Sequence, residues 1–136
     1  MEIMELKKIF NSKKYHFAKN RLIKNVLGFR EKQFDDFLIW FNVSDFDKGC
    51  YYCGTSNNKC AELFRLRPEA TRGGKRGRRL ELDRKDPFLS YDNFDNLVWC
   101  CYWCNNSKSN FFTEMEFKSI SLAIGNVLRS INTKND

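Results

Sequence analysis

A single histidine, His16, is all the imidazole in the 136-residue chain, so any imidazole base must be that ring. Long apolar runs are missing as well. No stretch approaches the roughly 18 residues that a membrane-spanning helix needs, and Met1-Glu2-Ile3-Met4-Glu5 lacks the basic-then-apolar opening of a signal peptide. A cytoplasmic protein without a membrane partner is therefore expected. No internal repeat is visible. Acid is also short, with 17 Asp and Glu against 24 Lys and Arg, and the resulting +7 favours a polyanionic partner. Charge alone suits RNA as well as DNA. The surplus is concentrated: residues 65–85 hold nine basic residues against three acids, most of the whole-chain excess.

The six cysteines are the most ordered feature of what is present. In a reducing cytosol they point to metal rather than disulfides. Cys50-x-x-Cys53 and Cys101-x-x-Cys104 form a split set of four thiolates, the donor set of a tetrahedral structural zinc site. Cys100 precedes a ligand and, in an extended segment, points the other way, as a small core residue would. Cys60 has no partner at a useful spacing and reads as ordinary loop.

Three regions follow along the chain. Residues 1–48 read as a helical region: Ser12 is placed to cap a basic helix from Lys13 to about Leu27, ended by Gly28. A second helix, roughly Glu31 to Asn42, sets Phe34, Phe37, Leu38 and Phe41 at i, i+3, i+4 and i+7, a core stripe. Residues 49–112 form the zinc-nucleated centre, with a hairpin expected between Glu62–Arg67 and Arg78–Asp83. The connection Thr71-Arg72-Gly73-Gly74-Lys75-Arg76-Gly77 is glycine-rich and basic, suited to a phosphate backbone; its plainer reading is a solvated loop. Residues 113–136 open on Thr113-Glu114-Met115-Glu116, a capping box, with Phe112 and Phe117 as a hydrophobic staple. Phe117, Ile120, Ile124, Val127, Leu128 and Ile131 continue at helical spacing, for packing or for a dimer.

In the strand before the second cysteine pair, Arg79, Glu81 and Asp83 alternate with Leu80 and Leu82, so the leucines face the core and the acids face outward together. Asp83 can bind a hard cation, and Asn105, directly after a zinc cysteine, can complete a magnesium site and leave positions for phosphate and water. Such an ion stabilises charge on the phosphorane and the leaving oxygen. Lys108, one turn after Asn105, would face the same phosphate, or else is a surface lysine. Glu81 reads either as a helper through water or, more simply, as the partner of a nearby arginine.

Taken together, Cys50-Tyr51-Tyr52-Cys53-Gly54, Leu82-Asp83-Arg84-Lys85-Asp86, Asp95-Asn96-Leu97 and Cys101-Tyr102-Trp103-Cys104-Asn105-Asn106-Ser107-Lys108 resemble the HNH, or ββα-metal, nucleases. More closely, they look like a subgroup with an Asp-Arg-x-Asp pattern, which includes small phage and bacterial endonucleases and a restriction enzyme. The likeness covers about residues 13–130 and is specific across 50–109. It implies an α+β fold: a zinc-stapled ββα-metal (His-Me finger) core with flanking N- and C-terminal helices. It implies one structural zinc per chain, since the additional N-terminal cysteine pair of the restriction enzyme is absent, and a catalytic magnesium or similar divalent ion.

The resemblance assigns Asp83 and Asn105 to the catalytic metal and Asn96 to bracing the catalytic loop. Arg84 stands where the family has its general base. A guanidinium stays protonated, so Arg84 is read as a phosphate clamp or transition-state stabiliser. The proton acceptor is then Tyr52, His16 or metal-bound water, with Tyr51 a weaker candidate. Arg72, Lys75, Arg76, Arg78, Arg79 and Lys108 are the candidate DNA contacts. The implied activity is hydrolysis of phosphodiesters in double-stranded DNA to 5′-phosphate and 3′-hydroxyl ends, by a restriction-like homodimer. The alternatives are a phage or mobile-element nicking enzyme and a decayed zinc module that binds DNA without cutting.

Overall fold

The computed structural model describes residues 1–16 and 27–134. Among the described residues, seven α-helices and β-strands run in chain order: α1 (Ile3–Lys13), α2 (Phe34–Val43), α3 (Asn57–Leu66), β1 (Glu81–Arg84), β2 (Leu97–Cys100), α4 (Tyr102–Lys108) and α5 (Glu114–Ser130). The strands form a two-stranded sheet. Lys85 N donates to Asn96 O at 2.9 Å one residue beyond each strand, so the pair is an antiparallel hairpin. Among the described residues no helix is long and apolar enough to cross a membrane. The fold is α+β, with β1, β2 and α4 in the ββα order and helices on both sides in sequence.

Two compact units divide the chain, Met1–Ser44 with Arg84–Leu97 and Asp45–Asp83 with Val98–Asp136. The first is held by aromatic rings. Phe10 stacks on Phe29 at 4.5 Å between centroids, and Phe37, Trp40, Tyr91 and Phe94 extend the cluster at 5.5–6.3 Å. Leu6 and Ile9 of α1 bury beside Phe10. The Asp92 carboxylate accepts the backbone N–H groups of Arg30, Glu31 and Lys32 at 3.0–3.2 Å, fixing the entry to α2. Gly28 is required there, because a Cβ on it would lie 2.2 Å from Lys13 O.

The helices of this unit start differently from the expectation. Ser12 lies near the end of α1 and donates to Ile9 O at 2.7 Å, so it caps no following helix. The acidic and apolar run Ile3-Met4-Glu5-Leu6 is itself helical. The expected helix from Lys13 to Leu27 lies for the most part outside the described residues. α2 begins at Phe34, where Gln33 and Asp36 form a capping box, and Phe37 is fully buried.

In the second unit, residues 62–66 belong to α3 and not to a hairpin. Ser56 caps α3 by accepting from Lys59 N at 3.0 Å, and Cys60 and Leu63, three apart, supply a helical buried face. The partner of β1 is instead β2, buried at all four positions. Cys60, expected in a loop, is thus a fully buried core residue whose thiol burial pushes up to about 12. α5 opens with the Thr113–Glu116 capping box and the Phe112–Phe117 ring contact at 6.3 Å, as expected. Its inner line, however, is Phe117, Ser121, Gly125 and Leu128, while Ile120 and Val127 remain 37% and 59% exposed. Small residues are needed because α5 passes against the Cys53 backbone, where a Cβ on Gly125 would lie 2.6 Å from Cys53 O. Arg129 Nη1 donates to the same oxygen at 2.6 Å.

Candidate active site and metal centre

Two tight turns bring the four cysteines together. Cys50 N donates to Thr55 O and Gly54 N to Cys50 O, with Gly49 and Gly54 at φ +85° and +79° allowing the chain to fold back. Cys101 is the N-cap of α4, its Sγ accepting from Cys104 N at 3.4 Å. All four sulfurs are buried and lie within 4.8 Å of one another. Four thiolates on a tetrahedral zinc stand about 3.8 Å apart, and the Cys53 and Cys101 sulfurs are separated by 3.7 Å. The donor set and spacing fit, so these residues could hold a zinc ion. Hydrogen bonds from Cys100, Cys101, Cys104 and Cys53 hold the Cys50 thiol well below its usual range, and those from Cys101, Cys50 and Cys53 push Cys104 above its own, as expected of a cluster that shares its protons. Cys100 is fully buried in β2, as its place before a ligand suggests.

Beside this centre, β1 presents two carboxylates on its half-buried face, Glu81 and Asp83, and buries Leu82 and Arg84 on the other. Tyr52, between the first two cysteines, donates its hydroxyl to Asp83 Oδ2 at 2.9 Å. Burial, then the charge of Asp83, then that hydrogen bond push the Tyr52 phenol far above its ordinary range, so it is protonated. Lys108 is 1% exposed and holds its ammonium 5.7 Å from the Tyr52 ring centroid. Tyr51 donates to Glu114, which with burial raises its phenol to about 12.

The amide of Asn105 reaches Glu81: Nδ2 donates to Oε1 at 3.1 Å. Glu81 is also gripped by Arg76, at 2.7 Å through Nη2 and 3.1 Å through Nε, a fork-to-fork pair. Arg76 in turn lies 4.7 Å over the ring of Tyr102, whose hydroxyl accepts from Arg72 N at 3.0 Å. The basic connection is therefore an ordered turn pinned on Tyr102, with Gly73, Gly74 and Gly77 at positive φ. Arg72, Lys75 and Arg78 are exposed on it.

In the first unit, Arg84 is 6% exposed. Its Nη1 donates to Pro87 O at 2.6 Å and Leu89 O at 3.1 Å, and its guanidinium covers the Tyr91 ring at 4.9 Å. Its Nη2 meets His16 Nε2 at 3.0 Å. A guanidinium only donates, so His16 Nε2 is the acceptor and the ring is the neutral Nδ1–H tautomer. Asn96, 5% exposed, clasps the backbone of Asp86 from both sides: Oδ1 accepts Asp86 N at 2.8 Å and Nδ2 donates to Asp86 O at 2.9 Å.

No family model and no curated protein matches this chain. Among solved structures it matches the rare-cutting HNH restriction endonuclease PacI, with a TM-score of 0.63 and 26% identity over 91% of this chain and 76% of that one. The chain resembles a PacI-like HNH endonuclease.

Within an HNH-like frame, several expected site residues stand where their chemistry is constrained. Tyr52 and Asp83 are brought together, and so are His16 and Arg84, although 68 residues separate the latter pair. The Asn105 amide nitrogen is turned to Glu81. Two expected roles are corrected. Lys108 is no surface lysine and, buried under Tyr52, offers no exposed ammonium to DNA. Arg84 spends one edge of its guanidinium on loop carbonyls, so it latches residues 87–89 before it can clamp anything else. Sequence reasoning missed Tyr102 and Tyr91 as the rings that seat Arg76 and Arg84. The signal was present for Tyr102, which lies between two cysteine ligands.

Proposed function

We propose that this chain is a metal-dependent endonuclease that hydrolyses phosphodiester bonds in double-stranded DNA. The observation that carries the reading is the PacI-like fold combined with Asp83 in β1 and Asn105 in the middle of α4, both beside the cysteine centre. The four cysteines would hold zinc, and Asn105, directly after Cys104, would be fixed beside it. Asp83 and the Asn105 oxygen would hold magnesium or a similar ion, whose chemistry would be to neutralise charge on the transferring phosphoryl group. Tyr52 steadies Asp83 by donation. Asn96 braces the loop that follows β1, and Arg84 adds positive charge beside it. Arg72, Lys75, Arg78 and Arg79 take the phosphate backbone.

Neither side-chain candidate is assigned as the proton acceptor: the lone pair of His16 Nε2 is taken by Arg84, and the Tyr52 hydroxyl is a donor to Asp83. Water at the divalent ion is the remaining candidate. Two copies acting on the two strands of a palindrome would complete a double-strand cut.

Plasmid DNA incubated with the protein and magnesium tests this reading. Discrete linear fragments are expected, with loss of cutting in Asp83→Ala at unchanged zinc content. Open circles alone would replace the dimer with a nicking enzyme. A plasmid that is bound but never cut would leave a zinc DNA-binding module and remove the enzyme.

A further inference from the structure

Arg76 sits in the most basic part of the chain, and by charge it belongs with the DNA contacts. Its geometry says otherwise. Both of its donor edges toward Glu81 are used, at 2.7 and 3.1 Å, and its flat face rests on Tyr102 at 4.7 Å. Two of its five N–H groups and one face are thus held by Glu81 and Tyr102, and its charge is paired there, while 42% of the side chain stays exposed. Glu81 has 16% of its side chain exposed and is gripped from two directions, by Arg76 and by Asn105 Nδ2.

The hydrogen bond to Asn105 has a directional consequence. A carboxylate only accepts, so the group facing Glu81 must be the amide nitrogen. The two atoms of an amide point apart, so Oδ1 is turned away from Glu81. A cation needs the oxygen; turned about, the amide would offer it a nitrogen instead. Three links thus run from the cysteine turn to the amide: Tyr102 between Cys101 and Cys104 seats Arg76, Arg76 orients Glu81, and Glu81 orients Asn105. Each step is a contact between groups of matched charge or shape.

We propose that Arg76 and Glu81 are positioning residues for the Asn105 amide, and that Arg76 is not a DNA contact. The inference rests on the reading of Asp83 and Asn105 as the divalent-ion site. Outer partners of metal ligands change affinity by about 10–100-fold when removed. Glu81→Ala and Arg76→Ala should therefore each weaken manganese binding by at least about ten-fold. Glu81→Gln keeps an oxygen acceptor for Asn105 and should recover most of the loss, whereas a carboxylate ligand replaced by a neutral amide would lose its charge and hold the ion more weakly.

Two measurements test this. Manganese affinity is read by titration calorimetry on the zinc-loaded protein, with circular dichroism to confirm that each variant is folded. Duplex binding is read against salt with no added divalent ion, where each phosphate contact contributes a slope of about 0.9. The expected result is weakened manganese binding in Glu81→Ala and Arg76→Ala, rescue in Glu81→Gln, and a wild-type salt slope in Arg76→Ala. A slope reduced by about one contact in Arg76→Ala would make it a phosphate ligand and overturn the inference while leaving the nuclease reading in place. Equal loss in Glu81→Gln and Glu81→Ala would make Glu81 a ligand and also overturn it. If Asp83→Ala binds manganese as tightly as the wild type, the metal site itself is wrong and both readings fall. Should Arg76→Ala not fold, Arg76→Lys, which keeps the charge but loses the fork, carries the same expectation on manganese.

Discussion

At the residue scale, the central substitution is an arginine where an HNH nuclease keeps its base. Arg84 cannot take a proton, and its Nη2–H occupies the unprotonated nitrogen of His16. The sequence separates His16 and Arg84 by 68 residues, and no spacing rule joins them; only the folded chain does. Replacing His16 by Ala removes a hydrogen-bond partner of Arg84 and should lower the cleavage rate by less than the roughly 10²–10⁴-fold that a positioned base is worth, with the wild-type pH dependence kept. Tyr52→Phe, which deletes a donor to Asp83, should keep that pH dependence as well. The check is a pH–rate profile of both variants; a His16→Ala protein that loses the full amount together with its pH dependence would make His16 the base.

At the element scale, what was legible in the sequence was local. The paired cysteines, the Thr113 capping box and the alternation that buries Leu80 and Leu82 while Glu81 and Asp83 stay half-exposed all depend on neighbours within a few residues. What was not legible was which elements meet. Residues 62–66 have apolar groups that suit a strand or a helix, and the Ser56 cap decides for α3; β1 then pairs with the fully buried β2. The same limit explains α5. Its apolar residues fit helical spacing, yet Val127 is exposed and Gly125 is buried, because the helix must come close to the Cys53 carbonyl. Ala in place of Gly gains up to about 1 kcal/mol of helix propensity in the open. Here its Cβ would sit 2.6 Å from a backbone oxygen held by the cysteine turn. Overpacking of that kind costs about 1–3 kcal/mol, so Gly125→Ala should be destabilising on balance. Urea denaturation measures it, and a raised midpoint would show that α5 is free to shift.

At the scale of the whole molecule, two different physical devices stabilise the two units. One is a cluster of stacked and tilted rings from Phe10 to Phe94 that contains no metal ligand. The other gathers four sulfurs from positions about 50 residues apart in sequence that could hold a zinc ion, whose binding free energy would then be folding free energy. The basic turn belongs to the second device, since Arg72 N and Arg76 are both seated on Tyr102, between Cys101 and Cys104. Metal that never touches DNA should therefore control DNA affinity. Stripping the zinc with a chelator, or replacing Cys104 by Ala, should abolish duplex binding and reduce helical circular dichroism from α3, α4 and α5. Aromatic signals from the ring cluster should be retained. Adding zinc back should restore binding to the chelated protein, and adding magnesium should not, because four thiolates select zinc over a hard oxygen-seeking ion. Fluorescence anisotropy with a labelled duplex, read beside the zinc content, makes the comparison. A zinc-free protein that still binds duplex at wild-type affinity would show that the basic turn is ordered without the cysteine centre.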